Sequence, residues 1–399
     1  DEKIDFNWWR GAPLPGMKPD SFSVRWTGAI VPRASGKYAI GARAFGHVRL
    51  TVDDSLIVDA TAEHNASTEW KWVDLKAGTS KRVVLEFSDR RADASVQLVW
   101  CKPAPIMKEE ALVAAKASDV VVMVMGLSPR LEGEEMPVNV PGFKGGDRVD
   151  IGLPKPQEEL IEAVAATGKP IVLVLLNGSA LAVNWAAEHV PAIMTAWYPG
   201  QAAGLAIADV LFGSYSPAGR LPVTFYKSTN ELPPFTNYNM EGRTYRYFRG
   251  EPLFPFGHGL SYTKFQYSNL QLPTKVSAGD NAWISVTVKN TGGMNSEEVV
   301  QLYVTDMNAS APVPIRSLQG FQRVFLKAGE ETSVSFFLAP RQLSLIDATA
   351  KRVVEPGVFE VSVGGKQPGF KGIADAVTTG VVTGRFEVVG SRIVLDEKH

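Results

Sequence analysis

A single cysteine, Cys101, occurs in 399 residues. No internal disulfide can form and no cysteine-rich metal site exists, which leaves the compartment open. Net charge is also scarce: 41 Lys and Arg against 42 Asp and Glu leave −1 at neutral pH. Such a balance gives no reason to expect nucleic acid or an anionic membrane as partner. No apolar run approaches the ~18 residues of a membrane-spanning helix. Two phosphate-binding signatures are missing as well. No G-x-G-x-x-G opens a helix and no G-x-x-x-x-G-K-[ST] is found, so a nucleotide site ranks low. The chain opens on DEKIDFNWWRG, without Met and without a signal sequence. Either a segment has been removed or this is a piece of a longer protein.

What is present fits a globular chain with a core. Hydrophobic residues make up 45% and charged residues 21%, and the length is that of roughly three domains. Nine Trp, ten Tyr and nineteen Phe supply many rings. Most belong to core and interface packing, with stacking on sugar faces the alternative.

Residues 1–103 read as all-β. Phe22, Val24 and Trp26 alternate with polar residues, as do Val48, Leu50 and Val52, then Val83, Leu85 and Phe87, then Val96, Leu98 and Trp100. Period-two alternation between turn residues predicts a sandwich of short strands. The stretches FSVRWTGAIVPRASGKYAIGARAFGHVRLTVDD and EWKWVDLKAG resemble the protective-antigen-type β-sandwich of many sugar-active proteins. Some members of that family bind sugar or calcium through adjacent aspartates, and Asp53 and Asp54 are such a pair. A β-turn is the reading we favour for them, since no further oxygen ligands follow at tight spacing.

Residues 104–226 change character. A helical stretch precedes the apolar run VVVMVM, and the pattern then alternates strand, helix, strand, helix. It predicts an α/β sandwich with a mostly parallel sheet. The loops after successive strands, GLSPRLEGEE, NGSA and WYPGQ, should emerge at one sheet edge, where α/β proteins place their chemistry. The first is the longest: residues 126–148 read GLSPRLEGEEMPVNVPGFKGGDR, with Glu132, Glu134 and Glu135 followed by Asp147 and Arg148. Three neighbouring carboxylates raise the pKa of one of them by repulsion, which is what a general acid needs at neutral pH. Solvated loop carboxylates are the bland alternative. Asp147 and Arg148 are read as loop-positioning residues, joined by an Arg–carboxylate fork.

Residues 227–268 carry too many rings for a floating linker and should wrap and pack. Residues 269–399 return to alternation, with Ile284, Val286 and Val288, then Val300, Leu302 and Val304, as examples. They predict an immunoglobulin-like or fibronectin type III-like sandwich, with turns at NTGG and at Gly364 and Gly365.

Three stretches together resemble glycoside hydrolase family 3: GLSPRLEGEE…GGDR with LPKPQEELI, GRLPVTFY, and LFPFGHGLSYT. GRTYRYF leans toward the β-xylosidase branch. The resemblance implies retaining, exo-acting hydrolysis of β-linked xylosides or glucosides by two carboxylates about 5–5.5 Å apart. By the family pattern E-x-E-G-x-D-R, Glu134 takes the acid/base position, with Glu135 the next choice and Glu132 the third. The family's nucleophile is an aspartate of an N-terminal barrel, typically in Ser-Asp-Trp. Neither Ser88-Asp89-Arg90 nor Ser118-Asp119-Val120 fits, and about three β–α units cannot make an eight-fold barrel. The chain thus resembles a C-terminal part, expected to be inactive alone. Its expected partners are an oligosaccharide or an aryl or alkyl β-glycoside, and a barrel domain of the same or another chain. No cofactor is implied, and polysaccharide substrates point to a periplasmic or secreted location. The competing reading is a carbohydrate-binding or adhesive module without catalysis. His258 is read as structural.

Overall fold

Strands dominate the computed structural model, which describes residues 3–395 other than 20, 91, 92, 134 and 137. The chain divides into two units, Asp1–Ala117 and Ser118–His399.

The first unit contains β1 Asp5–Trp9, β2 Phe22–Ile30, β3 Gly36–Val52, β4 Ser55–Leu75, β5 Lys81–Asp89, β6 Ala94–Cys101 and α1 Ala104–Lys116. The strands form one sheet in the order β1-β6-β3-β5-β2, with β4 also paired to β3. Strand β3 changes partner along its length. Residues 39–45 pair with β6 and residues 47–52 with β5. The change falls at Gly46, whose φ is 119° and where a Cβ would stand 2.8 Å from the Phe87 ring. The β3–β4 register shifts at the same place, between Ala44 and Gly46, as at a β-bulge. Tyr38, Ile40, Leu50, Leu85 and Phe87 fill the interior, each at most 2% exposed. Burying each of these side chains contributes ~1.5–3 kcal/mol.

Asp53 and Asp54 form the β3–β4 turn, with φ of 44° and 65°. The Asp53 carboxylate accepts from Lys81 Nζ at 2.6 Å and the Arg82 amide at 2.8 Å, so it fastens the turn to β5. The first unit also extends beyond residue 103, the boundary drawn from composition. Lys102 Nζ bonds Glu110 at 2.8 Å and Cys101 Sγ contacts Met107 Sδ at 3.7 Å, tying α1 to the end of β6.

The second unit begins with β7 Val121–Gly126, the small hairpin β8 Phe143–Lys144 and β9 Asp147–Arg148, α2 Lys155–Ala165, β10 Ile171–Leu176, α3 Asn184–His189, β11 Ala192–Thr195 and α4 Ala203–Leu211. Its sheet is parallel, in the order β11-β10-β7. Central β10 is covered on both faces, as IVLVLL predicts: Ile171, Leu173, Val174 and Leu175 are at most 2% exposed. Strand β7 departs from the same expectation. It lies at the sheet edge, and Val122 and Val124 are 49% and 56% exposed. An apolar run alone does not distinguish a central strand from an edge strand.

A short helix, α5 Thr244–Tyr247, lies in the aromatic segment. The segment packs, as its rings predict. FPFGHG runs back along LPVTF through Leu253 to Phe225 (2.8 Å), Phe225 to Phe254 (2.9 Å) and Leu221 to His258 (2.9 Å).

The C-terminal strands are β12 Phe265–Gln271, β13 Lys275–Ser277, β14 Ala282–Asn290, β15 Ser296–Asp306, β16 Ser317–Leu326, β17 Glu331–Leu338, β18 Leu345–Ile346, β19 Arg352–Val354, β20 Gly357–Gly364, β21 Val381–Val389 and β22 Ile393–Val394. Sheets β12-β14-β17 and β13-β21-β20-β15-β16 enclose Val286, Leu302, Phe336 and Val361. Gly364 is not a turn residue as expected, but ends β20 between Gln301 and Val381. Arg220 joins this sandwich to the α/β part: its Nη2 bonds Glu298 at 2.8 Å, and the two side chains are 6% and 0% exposed. Tyr267 and Thr379 hydroxyls donate to the same carboxylate at 3.1 Å each.

Candidate active site

The parallel strands β7, β10 and β11 release their loops at their carboxyl ends, and the loops meet. The end of β7 is built for close approach. Gly126 has φ 131°, and a Cβ there would overlap the Leu176 carbonyl. Gln157 of α2 grips the same glycine, accepting from its N–H at 2.7 Å and donating to its carbonyl at 2.8 Å. Leu127 then bonds the Leu176 carbonyl at 2.7 Å, so the acidic loop departs from a fixed point.

Glu132 is the residue on which the loops converge. One oxygen accepts from Ser179 Oγ at 3.0 Å, and the other accepts from the Tyr198 hydroxyl. Ser179 belongs to NGSA after β10, and Tyr198 to WYPGQ after β11. Burial and the Glu132 carboxylate both raise the Tyr198 phenol pKa, which keeps it a donor. Gly178 has no Cβ, and one added there would stand 2.7 Å from the Tyr198 ring.

Arg148 closes the other end of the loop. Its Nη1 donates to Ser179 Oγ at 2.7 Å and Ala180 O at 2.8 Å, and its Nε to Asp150 O at 3.2 Å. Burial lowers its pKa, and the charges of Glu132 and Asp150 oppose that shift. A guanidinium stays charged through any such change. Among the described residues the fork therefore falls on carbonyls and a hydroxyl, rather than on Asp147. Asp147 is exposed and faces Lys144 across the β8–β9 hairpin. Carbonyls left free by an irregular backbone make acceptors as suitable as a carboxylate, which is why the Asp-Arg pairing expected from sequence is replaced.

Of the other loop glutamates, Glu135 is exposed and has φ 55°. Glu134, the residue favoured from the sequence pattern, lies outside the described residues. Asn177 is fully buried behind the loops and donates to Ser179 O at 2.8 Å, which shapes the NGSA turn. Sequence reasoning singled out the loops NGSA and WYPGQ but not the parts played by Ser179 and Tyr198. Their positions directly after strands were the available signal.

Residues 17–262 match the family model described as the glycosyl hydrolase family 3 C-terminal domain, and residues 298–367 match a fibronectin type III-like domain. The chain belongs to glycosyl hydrolase family 3, and its C-terminal sandwich is fibronectin-like. It is 36% identical over 356 residues to a xylan 1,4-beta-xylosidase of Xylanibacter ruminicola, covering 88% of this chain and 40% of the relative. It is 39% identical over 271 residues to a periplasmic beta-glucosidase of Salmonella typhimurium, covering 65% of this chain and 34% of that protein. Among solved structures it resembles the beta-glucosidase of Kluyveromyces marxianus in complex with glucose, with TM-score 0.71 and 29% identity over 94% of this chain and 45% of that one. The chain thus spans less than half the length of these proteins.

Proposed function

We propose that this chain is the acid/base-bearing portion of a retaining, exo-acting β-glycosidase that removes xylose or glucose units from the non-reducing end. The observation that carries the reading is the anchored acidic loop. Glu132, held by Ser179 and Tyr198 at the carboxyl ends of three parallel strands, fixes a loop containing two further glutamates. Both Glu132 oxygens accept hydrogen bonds from the protein, so Glu132 acts as the anchor. Glu134 is the acid/base residue, with Glu135 the alternative register and Glu132 the third choice. Asp147 and Arg148 are positioning residues, Arg148 through Ser179 and the Ala180 carbonyl. No cofactor takes part. Asp53 serves the turn, and neither it nor Asp54 is assigned a metal.

The attacking aspartate sits on an N-terminal barrel of the same enzyme or of a separate chain. The first unit is a protective-antigen-type sandwich, followed by the α/β domain, the aromatic junction and the fibronectin-like domain. Similarity to a protein named as periplasmic supports a periplasmic or secreted location.

In the enzyme completed by its barrel, Glu134→Ala is expected to slow aryl glycosides with poor leaving groups by about 10²–10⁴-fold. Substrates with good leaving groups need no proton and should suffer least in glycosylation, and azide should restore turnover. Glu135→Ala should remain active. If Glu135→Ala is dead while Glu134→Ala behaves as wild type, the register is off by one residue.

A further inference from the structure

Away from the acidic loop, a cleft of about 440 Å³ lies between the aromatic segment and the fibronectin-like sandwich. Its size is that of a small-ligand site. Arg249, Arg316 and Lys371 line it, against one carboxylate, Glu251. Glu251 is already 3.6 Å from Lys227. None of the three cations forms an ion pair among the described residues, so the cleft has an excess of positive charge.

Arg316 is the most constrained of them. It sits over the Phe370 ring, 5.6 Å from the centroid. Its Nη1 donates to Gln367 Oε1 at 3.3 Å and Pro368 O at 3.0 Å. Gln367 is 3% exposed and is itself held by Phe256 O. Among the described residues Nε and Nη2 donate to nothing. That edge of a guanidinium is the one that takes a carboxylate through two parallel hydrogen bonds. On another wall Thr224 is 7% exposed, and its buried Oγ1 has no hydrogen-bond partner. A buried hydroxyl without a partner is unfavourable, and a ligand hydroxyl would satisfy it. Phe248 and Phe370 add apolar faces to the lining.

We propose that this cleft is a binding subsite for a carboxylate-bearing sugar, a hexuronate unit. The free edge of Arg316 takes the carboxylate, Arg249 and Lys371 add long-range attraction, and Thr224 Oγ1 meets a ring hydroxyl. The choice of a sugar over other carboxylates rests on the carbohydrate-active reading given above.

The test is calorimetric titration of the whole chain at low salt with methyl β-D-glucuronide, methyl β-D-glucoside and acetate. The glucuronide should bind at least about tenfold more tightly than the glucoside, because one charge-assisted contact is worth that much, and more tightly than acetate, which brings no ring hydroxyl to Thr224. Arg249 and Lys371 are exposed, so the double variant R249Q/K371Q should keep the fold and weaken glucuronide binding about tenfold. T224V should weaken it several-fold and leave the free chain at least as stable to heat, since the buried hydroxyl has no partner there. Binding of glucoside or acetate as tight as glucuronide, no saturable binding, or indifference to R249Q/K371Q would each overturn the proposal. The readout requires no turnover. A failed titration leaves the acid/base assignment standing, and unchanged kinetics in Glu134→Ala leave this titration readable.

Discussion

Glu132 and Tyr198 are 66 residues apart in sequence, and their hydrogen bond is what turns three separate loops into one site. Nothing local in the sequence announces it, because pairing between strand ends depends on sheet order. The acidic residues and the glycine at the strand end are legible, since their types are unusual at those places. Tyr198→Phe removes one of the two hydroxyls on Glu132. A hydrogen bond to a charged group is worth ~1.5–3 kcal/mol. The expected result in the completed enzyme is a fall in kcat/KM of about tenfold or more, equal across good and poor leaving groups. A loss concentrated on poor leaving groups would instead make Tyr198 part of the proton transfer.

His258 gives a second residue-scale expectation, in acid stability. Its Nδ1 is enclosed without a partner. Burial, with the nearby Arg220 charge adding to it, pushes the imidazole from 6.5 down to about 4. As pH falls below 6.5 the unfolded chain takes up a proton that the folded chain refuses. Stability should therefore be fully present above pH 6.5 and decline toward pH 4, by about 3 kcal/mol in all. Urea unfolding at several pH values should show a shallower decline in His258→Gln.

At the scale of elements, the junction shows what a buried ion pair does between two layers. Arg220 and Glu298 bring the GRLPVTFY segment against β15, and Gly365 permits it: a Cβ there would overlap the Glu298 carboxylate. Arg220→Ala leaves that carboxylate buried and unpaired, and should cost ~3–5 kcal/mol in denaturant unfolding of the second unit. The double replacement Arg220→Met with Glu298→Leu should cost less than the single one. Equal losses would mean that the pair's geometry, not its charge balance, carries the junction.

Element types are well read from pattern where burial is one-sided or complete. The alternation Val83, Leu85, Phe87 predicts β5, and IVLVLL predicts the centre of the parallel sheet. The edge position of β7, the switch of β3 between partners at Gly46, and the attachment of α1 to the first unit are not legible. Each depends on which strand or segment lies alongside, and a residue's own polarity does not record its neighbour.

At the scale of the molecule, the function proposed above makes the anchored loop one half of a split active site. In that proposal its glutamates provide the proton, and the attacking aspartate comes from a barrel domain. On the same proposal, the length of the acidic loop lets it reach off its own sheet toward that barrel. The most direct test is to assay aryl β-xyloside and β-glucoside hydrolysis by this chain alone, and again after joining or mixing it with the barrel half. Negligible turnover by the chain alone, rising at least about 10²-fold with the barrel, is the result expected when two carboxylates are both required. Vigorous hydrolysis by the isolated chain would contradict the account.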